Sequence, residues 1–406
     1  MDLLLESNHG TYRLPAHPGE LIGQVLQRVG VPESAVWTYY TEDHQDRAAR
    51  GRARRVRFVP VTSRLDGHDL AGRTVYARVT RNINIPALLG VETTVVRAIE
   101  DPTTEWVFPG PRDGAFARTI TQLTSEECLQ VVRQSVDGVL AAWPGDDRPR
   151  FVVGTSGGGD SNVLLSALLD SDHVDASDVI PVMMLGIPDW DTQIGNAQDL
   201  CASLGVELKV IQGPEAAELA GTVEFDQVKR IFREFYPDAD LEFLGTWLLR
   251  RVLGAYAKSV GCHSVAFGAN REDIISEGLA RISRGFPPLP TPYRTIGDLT
   301  VLYPMYRVPK KIGDGAYPTY SLENYEARDA SFSAGRSLYY YLAYSLPVIA
   351  PGADVTLLDG FEKLAARSGD PYVKDPEAPE FYVAGAYDDA QLARWREFLS
   401  AVRRPA

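Results

Sequence analysis

The stretch "GTSGGGDSN" concentrates the residues best suited to chemistry in this 406-residue chain. Ser156, Gly157, Gly158, Gly159, Asp160 and Ser161 form an unbroken run. Gly154, Gly159 and Ser161 fit the phosphate-binding frame G-x-x-x-x-G-K-[ST], but its lysine position holds Asp160. Glycines let the backbone approach a phosphate closely, and N–H groups at a helix N-terminus attract it. Ser161 adds a hydroxyl. The lysine of this frame neutralises the β- and γ-phosphates. Asp160 cannot, so transfer of a terminal phosphoryl group does not fit. A carboxylate beside a phosphate is tolerable when Mg²⁺ lies between them, or when backbone N–H groups carry the electrostatic load.

The flanking sequence supplies elements that would position such a loop. "RFVVGTS" reads as a strand, nearly all apolar as a buried parallel strand should be. "DSNVLLSALLDS" reads as the helix after it. "DVIPVMMLGI", "VELKVIQ" and "HSVAFGAN" read as further strands, separated by the helices "TQIGNAQDLCASLG" and "EFLGTWLLRRVLGAYAKSVG". This alternation predicts an α/β fold with a Rossmann-like, doubly wound parallel sheet, whose first strand–helix loop binds phosphate. Adenine is expected near the end of the second strand, around Met184 to Ile187. Main-chain groups of Leu185 would pair with it and Ile187 would pack on its ring. The acidic "DSDHVDASD" fails the EF-hand spacing and reads as a solvated turn, with no catalytic role for His173.

"SGGGDS" resembles the S-G-G-x-D-S loop of the N-type ATP pyrophosphatases, or PP-loop enzymes. The resemblance implies an adenine nucleotide α-hydrolase-like fold that binds ATP and Mg²⁺. ATP would be cleaved between its α- and β-phosphates. Ser156 to Ser161 would grip the departing pyrophosphate while AMP goes to a substrate oxygen, with Asp160 as a catalytic residue and Mg²⁺ ligand. "FGANREDIISEGLARISRG" is similar to the G-H-[NH]-x-D-D-x-x-E-T-x-L-x-R segment of one branch. That branch holds tRNA(Ile)-lysidine synthetase and the tRNA 2-thiolation enzymes. Gly268, Asn270, Asp273, Glu277, Leu279 and Arg281 occupy matching places. Glu272, Ala269 and Gly278 depart from the pattern. The likeness implies that Gly268 and Asn270 help bind the nucleotide. It also implies that Asp273 and Glu277 are catalytic, with Asp273 a second Mg²⁺ ligand. The plainer alternative is an acidic first helical turn favoured by the dipole. Ala269 stands where the branch has a histidine, which implies a changed substrate or acid–base step.

In "LLRRVLGAYAKSVG", Arg250 or Arg251 takes the place of a nucleotide-binding arginine, and the sequence does not choose between them. "LYPMYRVPKKI" and "SLENYEARDASFSAGRSLYYYLAYSLP" resemble later segments of the branch. By that likeness Lys310, Lys311, Arg328 and Arg336 would line the acceptor site. The thiolation enzymes also carry a C-x-x-C and a later cysteine for an iron–sulfur cluster. Here Cys128, Cys201 and Cys262 stand far apart, and "LEFLGTWLLRR" occupies the place of the C-x-x-C. Cluster-dependent sulfur transfer is not expected, and Cys262 reads as a buried apolar residue.

The expected organisation is a small domain over 1–84, a connector and helix over 85–145, the PP-loop domain over 146–345 and an extension over 346–406. Residues 1–84 read as strand, strand, helix and three strands, an α+β order that resembles the β-grasp (ubiquitin-like) fold. Thr124, with Glu127 three residues on, marks the start of the connector's helix. The extension should end in the helix "DDAQLARWREFLSAV". "DRAARGRARRVRF" reads as a solvated loop or as a docking patch for an acidic partner or RNA.

Net charge is −13. All of it falls beyond residue 115, because residues 1–115 balance 14 arginines against 14 acidic residues. Such a balance weighs mildly against nucleic acid. No apolar run is long enough for a membrane span. The start lacks the features of a signal peptide, and the scattered cysteines suit a reducing cytoplasm. Three classes of function stay open. One is an adenylating ligase, or a sulfur- or nitrogen-inserting enzyme, acting on a metabolite, nucleobase or protein end. The second is a tRNA base-modifying enzyme. The third is a non-catalytic nucleotide-binding module that recruits a protein partner through its N-terminal domain. Enzymes of this class often form homodimers.

Overall fold

The computed structural model describes residues 2–7, 10–45, 52–79, 93–108, 118–144, 149–186, 191–239, 241–321, 334–349, 352–376, 381–383 and 387–404. Arg47, Arg50, Ile187 and Arg328 fall outside the described residues, as does the side chain of Arg336. In chain order the first elements are β1 (Asp2–Ser7), β2 (Gly10–Pro15), α1 (Ile22–Arg28), β3 (Val36–Gln45), β4 (Arg52–Phe58) and β5 (Val75–Val79). Then come β6 (Thr93–Arg97), β7 (Thr104–Phe108), β8 (Arg118–Leu123) and α2 (Ser125–Ala141). The central part holds β9 (Phe151–Gly154), α3 (Gly159–Leu169), β10 (Val179–Met184), α4 (Ile194–Ser203), β11 (Lys209–Ile211), α5 (Gly213–Ala220), α6 (Phe225–Phe235), α7 (Leu241–Ser259) and β12 (Ser264–Ala266). It is followed by α8 (Arg271–Ile282), β13 (Tyr293–Ile296), β14 (Leu299–Leu302), α9 (Lys310–Ala316), α10 (Ala334–Ile349), α11 (Ala353–Ser368), β15 (Tyr372–Lys374), β16 (Phe381–Val383) and α12 (Asp389–Val402). No described helix is long and apolar enough to cross a membrane.

The chain forms two compact units that are discontinuous in sequence. The first is Met1–Val131, Arg271–Ala280 and Pro309–Gly360; the second is Val132–Asn270, Arg281–Val308 and Phe361–Ala406.

In the first unit, five strands pair in the order β2-β1-β5-β3-β4. β1 runs parallel to β5, and the other neighbours are antiparallel. The helical spacing of Ile22, Val25 and Leu26 puts those side chains into one core with Leu3, Val36, Val75 and Ala77. Gly30, in the left-handed region at φ 76°, follows α1. The neighbouring strand positions Trp37 and Tyr39 join Phe58 and Tyr76 in a separate aromatic cluster.

The arginine-rich run departs from expectation. From Arg52 onward it is strand β4, with Arg54 opposite Asp43 and Arg55 opposite Glu42 in register. The expected connector also contains a three-stranded sheet, β6-β8-β7, before its helix. β-branched residues in "TTVVR" and "RTITQL" account for these strands, whereas the prolines of that region suggested a linker. The helix start is as predicted. Thr124 N–H donates to Glu127 Oε2 at 3.0 Å, and Glu127 N–H donates to Thr124 Oγ1 at 3.2 Å.

In the second unit, six strands pair in the order β11-β10-β9-β12-β14-β13, with only β13 antiparallel to its neighbour. Numbered along the chain, the parallel strands lie in the doubly wound order 3-2-1-4-5. The fold class is α/β with a Rossmann-like sheet. A core of Val152, Val182, Ile211, Leu248, Val252 and Val265 joins the strands to α7.

Candidate active site

A doubly wound sheet binds ligands outside the carboxyl ends of its strands, where the strand order reverses. That point lies here between β9 and β12, paired through Val152↔Val265 and Val153↔Ala266. The run 156–161 leaves β9 and opens α3. Gly268 and Asn270 follow β12. The two stretches meet, since a Cβ on Gly268 would sit 3.0 Å from the Asp160 carbonyl oxygen and 3.3 Å from the Asp160 Cβ. A side chain there would require the loop to give by a few tenths of an ångström.

Within the loop the two serines differ. Ser161 is buried, and its Oγ accepts the Ser156 N–H at 3.0 Å. The two hydroxyl oxygens are 2.8 Å apart. Ser156 is exposed, so Ser161 shapes the loop and Ser156 faces outward. Gly157 is left-handed at φ 73°. Asn162 N–H donates to the Gly158 carbonyl at 3.1 Å, forming the first turn of α3. Asp160 sits half-buried in that turn, where the helix dipole favours a negative charge. Asn270 is buried.

The carboxyl end of β10 is arranged differently from expectation. Leu185 N–H donates to the Ile211 carbonyl at 2.9 Å, continuing the sheet toward β11. Leu185 could meet an adenine only through its carbonyl. Gly186, at φ 108°, packs so closely that a Cβ would lie 3.0 Å from Phe225 and 3.2 Å from Gly213 Cα. Its N–H donates to both carboxylate oxygens of Asp191, at 3.0 and 3.1 Å. Nothing in the acidic "DWDTQ" announced this role of Asp191. Asp191→Ala is expected to raise the KM for ATP about tenfold with kcat little changed, the size of one lost charge-assisted hydrogen bond. Asp191→Asn, which keeps an acceptor, should recover much of the loss. Steady-state kinetics at varied ATP checks both.

The structure separates the two candidate arginines. Arg251 Nε donates to the Ala220 carbonyl at 2.8 Å, and its guanidinium lies 5.3 Å from the Trp247 ring centroid. It serves the C-terminus of α5, and burial lowers its pKa. Arg250 instead donates to the Tyr303 hydroxyl at 3.4 Å, just past the carboxyl end of β14.

Asp273 and Glu277 belong to the first unit, whereas Asp160 belongs to the second. Asp273 Oδ1 accepts the Tyr340 hydroxyl at 2.7 Å. Glu277 is half-buried on α8. Lys310 and Lys311, expected to line an acceptor site, are both buried within the first unit. Lys310 Nζ pairs with Asp314 at 2.7 Å, and Lys311 Nζ donates to the Glu33 carbonyl at 3.0 Å. Burial pushes the Lys311 amine down, against the pull of Glu105 and Glu33.

Glu272 is buried too, and accepts the Lys310 N–H at 2.8 Å. Burial pushes its pKa from the ordinary 4.5 to about 7. In the folded protein it therefore keeps its proton to about pH 7, while the unfolded chain releases it near 4.5. Between those values the unfolded state binds fewer protons, so stability falls as pH rises. Glu272→Gln keeps an acceptor and removes the titration. The wild type should lose melting temperature relative to Glu272→Gln as pH rises from about 4.5 to about 7. Parallel melting curves for the two proteins would contradict this.

Among the described residues, no group of three or more His, Cys, Asp or Glu side chains is placed to hold a metal. Asp160 offers a single half-buried carboxylate at the head of α3. That fits Mg²⁺ as an ion taking its other ligands from phosphate and water. All three cysteines are buried. Burial pushes Cys128 to about 12, Cys201 to about 11, and Cys262 upward as well. Thiols held in this way are poor nucleophiles.

No family model matches the sequence, and no curated protein matches it. Among solved structures it is similar to the U34-tRNA thiolase NcsA from Methanococcus maripaludis, at 15% identity and a TM-score of 0.47, covering 67% of this chain and 89% of that one. It is similar to the NH3-dependent NAD synthetase from Campylobacter jejuni, at 16% identity and a TM-score of 0.34, covering 61% of this chain and 97% of that one. It is also similar to NMN synthetase from Francisella tularensis, at 15% identity and a TM-score of 0.35, covering 61% and 95%.

Proposed function

We propose that the chain is an ATP-dependent adenylating enzyme that forms AMP and pyrophosphate. The observation that supports this most is the place of "SGGGDS": at the strand-order reversal, opening α3, with Gly268 packed on Asp160. In this reading the α-phosphorus of ATP lies at the reversal point. An acceptor carbonyl or carboxylate oxygen attacks it. The bond from the α-phosphorus to the bridging oxygen breaks, and pyrophosphate leaves with the electron pair. Backbone N–H groups of the loop, the Ser156 hydroxyl and the dipole of α3 stabilise the charge that builds on the leaving group. Asp160 would hold Mg²⁺, which supplies electrostatic neutralisation of the phosphates when bound. A nitrogen or sulfur nucleophile then displaces AMP from the acceptor. With the cysteines of this chain buried, a sulfur nucleophile would come from elsewhere.

The first unit has a separate part in this reading. The strand order and the parallel β1–β5 pair support a β-grasp domain over the N-terminal residues, fixed in place rather than loosely tethered. Ser34 hydrogen-bonds the Tyr344 carbonyl, and Trp37 Nε1 donates to Asp314 at 3.4 Å. Asp273 accepts the Tyr340 hydroxyl within this unit. The test is mass spectrometry of candidate acceptors, metabolite pools and RNA fractions alike, incubated with the protein and ATP. A species carrying AMP supports the reading and names the acceptor. Labelled ADP as the sole product contradicts it.

A further inference from the structure

Lys310 and Lys311 are neighbours at the start of α9 and both are buried, yet their settings differ. Lys310 pairs with Asp314 at 2.7 Å. Lys311 makes no ion pair among the described residues, and its Nζ donates to the neutral main-chain carbonyl of Glu33 at 3.0 Å. Burial pushes its amine down more than Glu105 and Glu33 pull it up. A lysine so placed offers a nitrogen lone pair more readily than a solvated one. Lys311 also lines a cavity of about 20 Å³ within the first unit. Trp37 and Phe58, with ring centroids 5.0 Å apart, and Pro102 form its walls, and Thr104 and Glu105 complete it. Phe58 and Pro102 are half-buried and mark its outer side. Thr104, on β7, is held against α9 by its methyl group. A Cβ on Gly315 would lie 3.1 Å from that methyl carbon, and Gly315 is one turn beyond Lys311 on the same face of the helix. The Thr104 hydroxyl is buried and has no hydrogen-bond partner among the described residues. Such a group is costly to the fold and is explained when a ligand uses it. The Glu105 carboxylate, by contrast, accepts from the Val61 N–H, the Thr62 hydroxyl and the Gln122 amide.

We propose that Lys311 and Thr104 form a site for a small aldehyde or ketone, which Lys311 captures as an imine. The proposal does not depend on the AMP-forming reading. Nζ attacks the carbonyl carbon, and the Thr104 hydroxyl donates to the carbonyl oxygen as charge builds on it. The nitrogen then forms its second bond to that carbon. The oxygen leaves as water, carrying both protons of the neutral amine. No oxidant or other co-reactant is consumed. Size and charge favour this chemistry over other modifications of a lysine. A cavity of about 20 Å³ admits a carbonyl group with a short chain toward Phe58 and Pro102, but not the larger group that acyl transfer expels. Addition of carbon dioxide would place a carbamate anion beside the charges of Glu105 and Glu33, whereas the imine is neutral.

The test incubates the full chain with acetaldehyde and sodium cyanoborohydride near neutral pH. The reductant transfers hydride to the imine carbon and fixes the adduct as a secondary amine, which peptide mass spectrometry maps. Exposed Lys363 serves as the internal reference. Lys311 should be labelled at least about tenfold faster than Lys363, where tenfold is about 1.4 kcal/mol of barrier. Thr104→Val removes a hydroxyl that has no partner and keeps the shape of the side chain, so the fold should survive, as a melting curve confirms. It should slow the labelling of Lys311 at least about tenfold, as expected when a donor to a developing charge is lost, and leave Lys363 unchanged. Labelling of Lys311 no faster than that of Lys363 overturns the proposal. So does equal labelling of Lys311 in the wild type and in Thr104→Val. The label is mapped on the wild type, so the outcome does not rest on the folding of a Lys311 variant.

Discussion

Gly157→Ala is expected to lower kcat/KM for AMP formation about 100-fold or more. Gly157 sits in the left-handed region at φ 73°, which disfavours any residue with a Cβ by about 1–2 kcal/mol. Space is the larger obstacle. The new Cβ would lie 2.6 Å from the Ala197 amide nitrogen and 3.0 Å from the carbonyl carbon of Asn196. Both are backbone atoms in the first turns of α4, and they cannot swing aside as a side chain can. The loop itself must shift, and a displacement of about 1 Å at a reacting centre can lower a rate about 100-fold. Gly158→Ala makes the contrast. A Cβ there meets only the Ser156 hydroxyl, at 3.4 Å, so activity should fall far less. Steady-state kinetics of the two variants, with melting curves to confirm folding, checks the pair. Equal effects would mean that loop shape is not what the activity needs.

Asp160→Ala should lower AMP formation by about 100- to 1,000-fold, the range seen when one preorganised electrostatic contact to a developing charge is removed. The side chain is half-buried in the first turn of α3, not in the core, so the fold should survive. Melting temperature and nucleotide affinity, measured beside the rate, separate a chemical defect from unfolding. Asp160→Lys would restore the frame of a terminal phosphoryl transferase in sequence only. It should be as inactive as Asp160→Ala, and it should not produce ADP.

Much of the architecture was legible because it is written in local periodicity. The apolar strand before "GTSGGGDS", the helix after it and the strand–helix alternation all survive in β9 to β12. The order of elements over β1 to β5 and the Thr124–Glu127 cap were legible for the same reason. α6 could also have been read, since Phe225, Val228 and Phe232 follow helical spacing and are buried. The sheet β6-β8-β7 was hidden because three short strands with a proline-rich surround look like a linker. What could not be read was decided by long-range packing. Arg250 and Arg251 are adjacent in sequence, yet one reaches Tyr303 and the other Ala220. Lys310 and Lys311 look like exposed basic residues, but Asp314 and Glu33 meet them inside the first unit. Asp191 accepts the Gly186 N–H, a contact that no local pattern encodes.

The same distinction holds for the site. The run of small residues around an acid was enough to point away from terminal phosphoryl transfer. Its neighbours were not: Gly268 matters because a Cβ there would lie 3.0 Å from the Asp160 carbonyl oxygen, not because of its place in a motif. The N-terminal domain shows the limit of pattern most plainly. Its order of elements along the chain was legible, whereas its ties to Asp314 and Tyr344, more than 270 residues away in sequence, were not.

The central claim is that ATP is cut between its α- and β-phosphates at the loop around Asp160. The most direct measurement follows the products of ATP by phosphorus NMR, with Mg²⁺ and the adenylated acceptor's source pool present. AMP and pyrophosphate in equal amounts, formed by the wild type and lost in Asp160→Ala, is the predicted result. ADP with inorganic phosphate, or AMP and pyrophosphate undiminished in Asp160→Ala, would contradict it.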